Sequence, residues 1–400
     1  MSTEILNVNT KWLKWARTSV KYEKDDVANK LNVNPEKITE WEETGKLTQN
    51  ELMALSDVYE VSPYTFFDGN DPVYDKEIPD FRTINSEKIN ITPEIMFELR
   101  RAKENRETLL DFEDDFDGFE FPLFSDNTIN SDNPNIVAEK IRALLGMSRA
   151  NAHRNLDHWI NSIESLGVLV FEFYNIEPEQ LRGYALYYDK LPIIGINHKE
   201  SINAKKFTLF HELAHLIMKK DGISNINEYR LINNEEAYCN KVAAETLLPT
   251  KLFKKHIEDT SSFDKFRTED INRLSKIFNV SNQVIVRKAL DLGFIKQEEY
   301  NNRIKEFNDY INPPKKNKTS SVNNKPQPKV DKPINHDKGL YNKAKVALRK
   351  NGNYFTSLLI KAYDEELITD IDIALELKVS LEVMSKIISI IEKEDLYAFS

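Results

Sequence analysis

The sequence predicts an α+β protein. A small sheet leads into one long histidine-bearing helix, flanked by an N-terminal helix-turn-helix module and a C-terminal all-α module. Three observations predict this. Runs of β-branched and aromatic residues cluster between Val168 and Asn197, with helical periodicity on both sides. Directly after them comes His211-Glu212-Leu213-Ala214-His215, set in an apolar helical pattern. A proline- and lysine-rich stretch then separates a last helical block from the rest.

The chain has 400 residues, 40% of them apolar, which is the length of two or three domains. A net charge of −10 argues against a chain built to coat nucleic acid or an anionic membrane. Cys239 is the single cysteine, which excludes an internal disulfide framework and fits a reducing cytoplasm. Residues 1–10 lack a basic region followed by an apolar core, so no signal peptide is expected. No apolar run approaches the roughly 18 residues of a membrane span. A soluble, cytoplasmic protein without a membrane partner is the expectation.

Residues 1–70 read as short helices with tight turns. One begins at Trp12-Leu13; a second covers Asp25–Leu31 with Asp25 as N-cap; Pro35 opens a third, which stops near Gly45. Two short helices around Asn32-Val33-Asn34 form a helix-turn-helix pattern. Residues 71–134 read as a connector. Its segment Leu109–Phe124 mixes phenylalanines with acids and reads as irregular chain packed on a neighbouring domain, or as a contact for a partner. Residues 135–310 hold the core. Helices are expected from Asn135 to about Gly146 and from Ala150 to Leu166, then strands at Val168–Tyr174, Gly183–Tyr188 and Leu191–Asn197, with Asp189-Lys190 as a tight turn. Residues 203–219 form the helix that carries both histidines, and Glu235–Leu248 a further helix ended by Pro249. Residues 311–338 contain five prolines and seven lysines and read as a disordered basic linker; 339–400 read as a small helical domain.

Four residues is close to one helical turn, so His211 and His215 share a face and can grip one zinc ion. A third ligand is needed, and the next long helix offers it. Glu236 is the leading candidate. Glu235, about 100° round that helix, and Cys239 compete. Asn240, four residues after Glu236, can reach a ligating histidine as an acceptor that fixes its tautomer. Glu212 would be the general base toward a water whose pKa the ion lowers to roughly 7. His153, His158, His198, His256 and His336 read as plain polar residues.

These residues support a resemblance. Phe207-Thr-Leu-Phe-His-Glu-Leu-Ala-His-Leu216, followed by Glu236-x-x-Cys-Asn-x-Val-Ala-Ala-Glu-Thr-Leu-Leu-Pro249, resembles the ImmA/IrrE family of zinc metallopeptidases. Cys239 stands where that family usually has Ala, and Val242 where it has Phe. Pro192–Asn197 looks like the family strand ahead of the active-site helix, and Leu274–Ser281 with Arg287 and Leu292-Gly293 like the segment that ends the core. Ile38–Gly45, Leu52–Tyr59 and Pro79–Arg82 are similar to the Xre-type helix-turn-helix of longer members.

The resemblance implies a minimal zinc metalloprotease core and an intracellular zinc-dependent endopeptidase. Its substrate would be a helix-turn-helix repressor or antitoxin-like protein, whose cleavage releases genes of a mobile element or of a stress or defence response. The substrate would lie along the exposed sheet edge by strand addition. DNA binding by the N-terminal module is the weaker expectation. Residues 1–70 hold eight Lys/Arg against twelve Asp/Glu, and phosphate contacts demand cations. The rival reading is a DNA-binding transcriptional regulator whose zinc domain senses or scaffolds without proteolysis.

Overall fold

The computed structural model describes residues 5–72, 91–115, 120–147, 154–219, 222–224, 234–258, 267–311 and 336–394. It is a mixed α+β chain, mostly helical, with two small sheets. Two compact units arise: Met1–Asp111 with Asn175–Leu181, and Phe112–Tyr174 with Arg182–Ser400.

The first unit starts with β1 (Ile5–Asn7), α1 (Thr10–Ser19), α2 (Lys24–Leu31) and α3 (Pro35–Thr44). The cap expected at Asp25 lies two residues earlier. Glu23 caps α2 in a box with Asp26, because a carboxylate at each position satisfies the other's backbone N–H. Asn32 turns the chain between α2 and α3 in the left-handed region, φ 53°, and Asn34 caps α3 ahead of Pro35. β2 (Lys46–Thr48), unforeseen in the sequence, pairs antiparallel with β1 and leads into α4 (Gln49–Tyr59). Leu13, Val27, Ile38, Trp41, Leu52 and Phe66 are among the residues of one core. Glu42 is buried with them and is held by Arg17 at 2.6 Å.

α5 (Pro93–Asp115) is a single 23-residue helix where the sequence suggested irregular chain. Its acids disguise the helix, since they leave only a weak apolar stripe. The acidic aromatic segment does bury phenylalanines. Phe112, Phe121 and Phe124 are buried, and Glu113 pairs with Lys190 at 2.7 Å. Despite partial burial, that lysine and the Phe121 N–H hold the Glu113 carboxyl below its ordinary range. Pro79–Arg82 lie outside the described residues.

The second unit continues with α6 (Pro134–Leu144) and α7 (Leu156–Glu164). Then come β3 (Leu169–Phe173), β4 (Gly183–Leu186), β5 (Ile193–Asn197), α8 (Ile202–Ile217), β6 (Gly222–Ser224) and α9 (Asn234–Leu247). The sheet order is β3-β5-β4-β6; β3 runs parallel to β5, and β4 antiparallel to β5 and β6. Every residue of β3, β4 and β5 is buried, which explains their nearly unbroken apolar character. Gly195 is required opposite Tyr184, whose ring lies 2.0 Å from where a Cβ would stand.

α8 packs on β4 and β5, and α9 on α8 and α6. β6 occupies the outer edge of β4, so a peptide cannot add to β4 without displacing it.

A separate core gathers α10 (Thr250–Glu258), α11 (Thr268–Phe278), α12 (Asn282–Asp291) and α13 (Gln297–Ile311). The proline-rich stretch lies outside the described residues over 312–335. The final block holds α14 (His336–Asn351), α15 (Asn353–Asp364), α16 (Asp370–Glu376) and α17 (Leu381–Glu394). It docks on the core: α14 packs along β3, and α15 against β3 and α7.

Candidate metal centre

α8 begins at Ser201, whose hydroxyl accepts the Ala204 N–H. Its apolar positions Leu209, Phe210, Leu213, Leu216 and Ile217 are all fully buried. The periodicity that buries them carries His211, Glu212 and His215 inward as well. Each is 3% exposed or less. A burial that deep is costly for polar groups unless they find partners.

The partners come from α9. Glu236 Oε2 lies 3.0 Å from His211 Nε2, and Glu236 Oε1 3.2 Å from His215 Nε2. The two imidazole Nε2 atoms are 3.3 Å apart. One donor atom from each residue falls within a sphere of 4.8 Å. A tetrahedral ion with bonds of about 2.0–2.1 Å places its ligands about 3.3 Å from one another. The separations found are close to that, so the three residues fit a zinc-sized cation.

The electrostatics point the same way. Burial raises the Glu236 carboxyl, but its hydrogen bonds and attraction to His211 and His215 outweigh this and hold it well below the usual carboxylate range. Burial lowers the His215 imidazole, while Cys239 and Glu236 raise it well above its ordinary value. The Cys239 thiol is itself raised by burial and is neutral near pH 7. The carboxylate thus favours positive charge at His215.

The rival ligands fall outside the cluster. Glu235 Oε1 sits 4.0 Å from His215 Nδ1, on the outer side of the ring, and Cys239 is buried beside His215. Asn240 does not make the expected bond. Its Oδ1 and the Nδ1 atoms of both histidines have no hydrogen-bond partner among the described residues. Both imidazoles turn Nε2 inward, and the outward Nδ1 of His215 faces Glu235 rather than Asn240. Glu212 is fully buried and is not one of the clustered donors, as a base beside a metal should be.

Two contributors escaped sequence reasoning. Gly183 opens β4 against Glu212. A Cβ there would stand 2.4 Å from Thr208 Cγ2 and 2.9 Å from Glu212 Oε1. The ring of Phe207 tilts against His211 at 6.3 Å. The glycine was visible only as a strand residue, and nothing local distinguished it.

A buried His-His-Glu cluster that could hold a metal ion, with a glutamate next to the first histidine and a sheet under the helix, has the donor set of a metallohydrolase-type centre. Residues 163–290 match the family model of the peptidase M78 group, described as the IrrE N-terminal-like domain. The match spans β3 to α12, about a third of the chain, and supports a peptidase. No curated protein matches the chain. Among the described residues no helix is long and apolar enough to cross a membrane.

Proposed function

We propose that the chain is a zinc-dependent endopeptidase acting in the cytoplasm. The observation that carries this reading is the convergence of His211, His215 and Glu236 within the matched peptidase domain. His211, His215 and Glu236 hold the ion. When bound, zinc supplies a Lewis acid for a scissile carbonyl and lowers the pKa of a water to roughly 7. Glu212 takes the proton of the attacking water and returns it to the leaving amine. Burial around α8 keeps competing water away and strengthens these interactions. Glu235 flanks the outer side of the His215 ring and orients it once the ion is in place.

The substrate in this reading is a regulatory protein, a helix-turn-helix repressor or antitoxin-like protein whose loss releases silenced genes. α2 and α3 form an Xre-type helix-turn-helix module that selects it. The exposed residues of α3 include Glu36, Glu40 and Glu43, and Lys37 is paired with Glu40 at 3.1 Å. Such a surface suits protein recognition better than phosphate contact.

Glu212→Gln is expected to keep zinc, measured by elemental analysis, and to lose cleavage of the natural substrate, followed by mass spectrometry. Retained cleavage would overturn the assignment of the base. Tight, salt-sensitive binding to the upstream region of its own gene, with no proteolysis, would favour the regulator instead.

A further inference from the structure

A groove of about 1590 Å³ opens beside the metal cluster. That exceeds the roughly 300–1,000 Å³ of small-molecule pockets, so it is sized for a chain segment. Phe207 and Thr208 line it from α8, one turn ahead of His211 and Glu212. Asn240 and Lys241 line it from α9, one turn beyond Glu236. The facing wall comes from α12 and α13, including Val284, Arg287, Tyr300 and Phe307.

The turn that presents α12 repeats the one between α2 and α3. Asn279 has φ 52° and ψ 46°, against 53° and 46° for Asn32. Val280 N–H bonds the Ser275 carbonyl as Val33 N–H bonds that of Ala28. Ser281 caps α12 as Asn34 caps α3. Ile285, Val286 and Ala289 are buried in the core of their own unit, which leaves Gln283 and Arg287 exposed on the groove side. A helix placed by this turn thus lines the groove, opposite Phe207 and Asn240.

The groove's charge runs against that of the chain. Four cations line it, Arg182, Lys241, Arg287 and Lys288, against two carboxylates, Glu245 and Asp291, in a protein of net charge −10, and Arg182 is also paired with Glu200 at 3.6 Å. Lys288 is spent on Glu245 at 2.5 Å. Lys241 is exposed, and Arg287 keeps 62% of its side chain exposed while paired to Asp291. Between these cations lie the apolar faces of Phe207, Tyr300 and Phe307.

We infer that this groove is a second substrate-selecting surface of the proposed peptidase, beside the helix-turn-helix module, and takes an acidic, amphipathic polypeptide segment. The inference rests on the peptidase reading for its purpose but not for its binding test. Apolar side chains of the segment lie on Phe207, Tyr300 and Phe307, and its carboxylates meet Lys241 and Arg287. The apolar lining and the adjoining buried cluster favour a polypeptide over nucleic acid.

The test uses the full chain carrying Glu212→Gln, loaded with zinc, so that binding is read without turnover. Short labelled peptides share the same apolar positions and carry either glutamates or lysines between them. Fluorescence anisotropy is expected to show the acidic peptide binding about ten-fold more tightly. Lys241→Glu with Arg287→Glu is expected to abolish that preference, with zinc content and melting temperature retained. Equal binding of both peptides, a preference that survives the double substitution, or displacement of the acidic peptide by duplex DNA would each overturn the inference. Acidic peptides that bind but are not cut by the unsubstituted chain would sink the peptidase reading and leave the groove standing. Cleavage indifferent to peptide charge would do the reverse.

Discussion

At the scale of the residue, the site depends on one absent side chain. Gly183 lets β4 approach α8 until its backbone borders Thr208 and Glu212. Gly183→Ala places a methyl group 2.9 Å from the Glu212 carboxylate, and one of the two must move. Displacements of this size near reacting groups cost about 100-fold in rate. Cleavage by the Gly183→Ala variant is therefore expected to fall by about two orders of magnitude, with zinc content unchanged because the three ligands lie on α8 and α9. Unchanged kinetics would show that Glu212 tolerates the shift. His211 and His215 could be read from spacing, because helical geometry alone puts i and i+4 on one face. Which outer group faces each imidazole could not, because ring orientation is set by packing across two helices.

At the scale of the element, helix ends reuse one device. After α2, α4, α11 and α16 the chain turns through a left-handed residue, Asn32, Glu60, Asn279 or Lys378, and a valine follows each. The valine N–H bonds back to the helix and its side chain covers the last turn. The pattern is local and was legible between α2 and α3; its recurrence before α12 was overlooked.

α15 is started differently, by a partner distant in sequence. The Glu164 carboxylate on α7 accepts the Tyr354 N–H at 3.1 Å, and Gly352, φ 79°, passes within 2.7 Å of the Val170 carbonyl, measured from where a Cβ would stand. Burial pushes the Glu164 carboxyl up from 4.5 to about 8, and hydrogen bonds from the Tyr354 and Asn353 backbone pull weakly the other way. The unfolded chain loses this proton near the ordinary carboxylate value, while the folded chain keeps it. Stability from Glu164 is thus full below about pH 4.5 and is lost as pH rises through about 8. Glu164→Gln keeps an acceptor for the α15 N–H groups and removes the titration. Calorimetry across that window should show a flatter melting profile for the variant. An equally steep decline in both proteins would exclude Glu164 as its source.

At the scale of the whole molecule, each described unit builds its own cores, and the C-terminal block is not an independent appendage. α14 and α15 pack on β3, the outermost strand on its side of the sheet. Exposed strand edges invite pairing between chains. A chain ending before His336 is expected to self-associate in light scattering, while the full chain at equal concentration does not. A truncated chain that stays dispersed would show that β3 is protected without the block. This docking was illegible beforehand, because the linking stretch reads as a spacer and the contacts join residues such as Asn161 and Asn353, at 2.7 Å.

The sequence by itself determined the α+β class, the run of three strands ahead of the histidine helix, and the two histidines and adjacent glutamate of the site. All three follow from periodicity and spacing, which are local. Only the tertiary structure decided that β6 occupies the β4 edge, that Glu236 rather than Glu235 meets both histidines, and that α12 lines the same groove as α8 and α9. Each of those depends on how separate elements pack, and packing between distant segments leaves no periodic trace in a single chain.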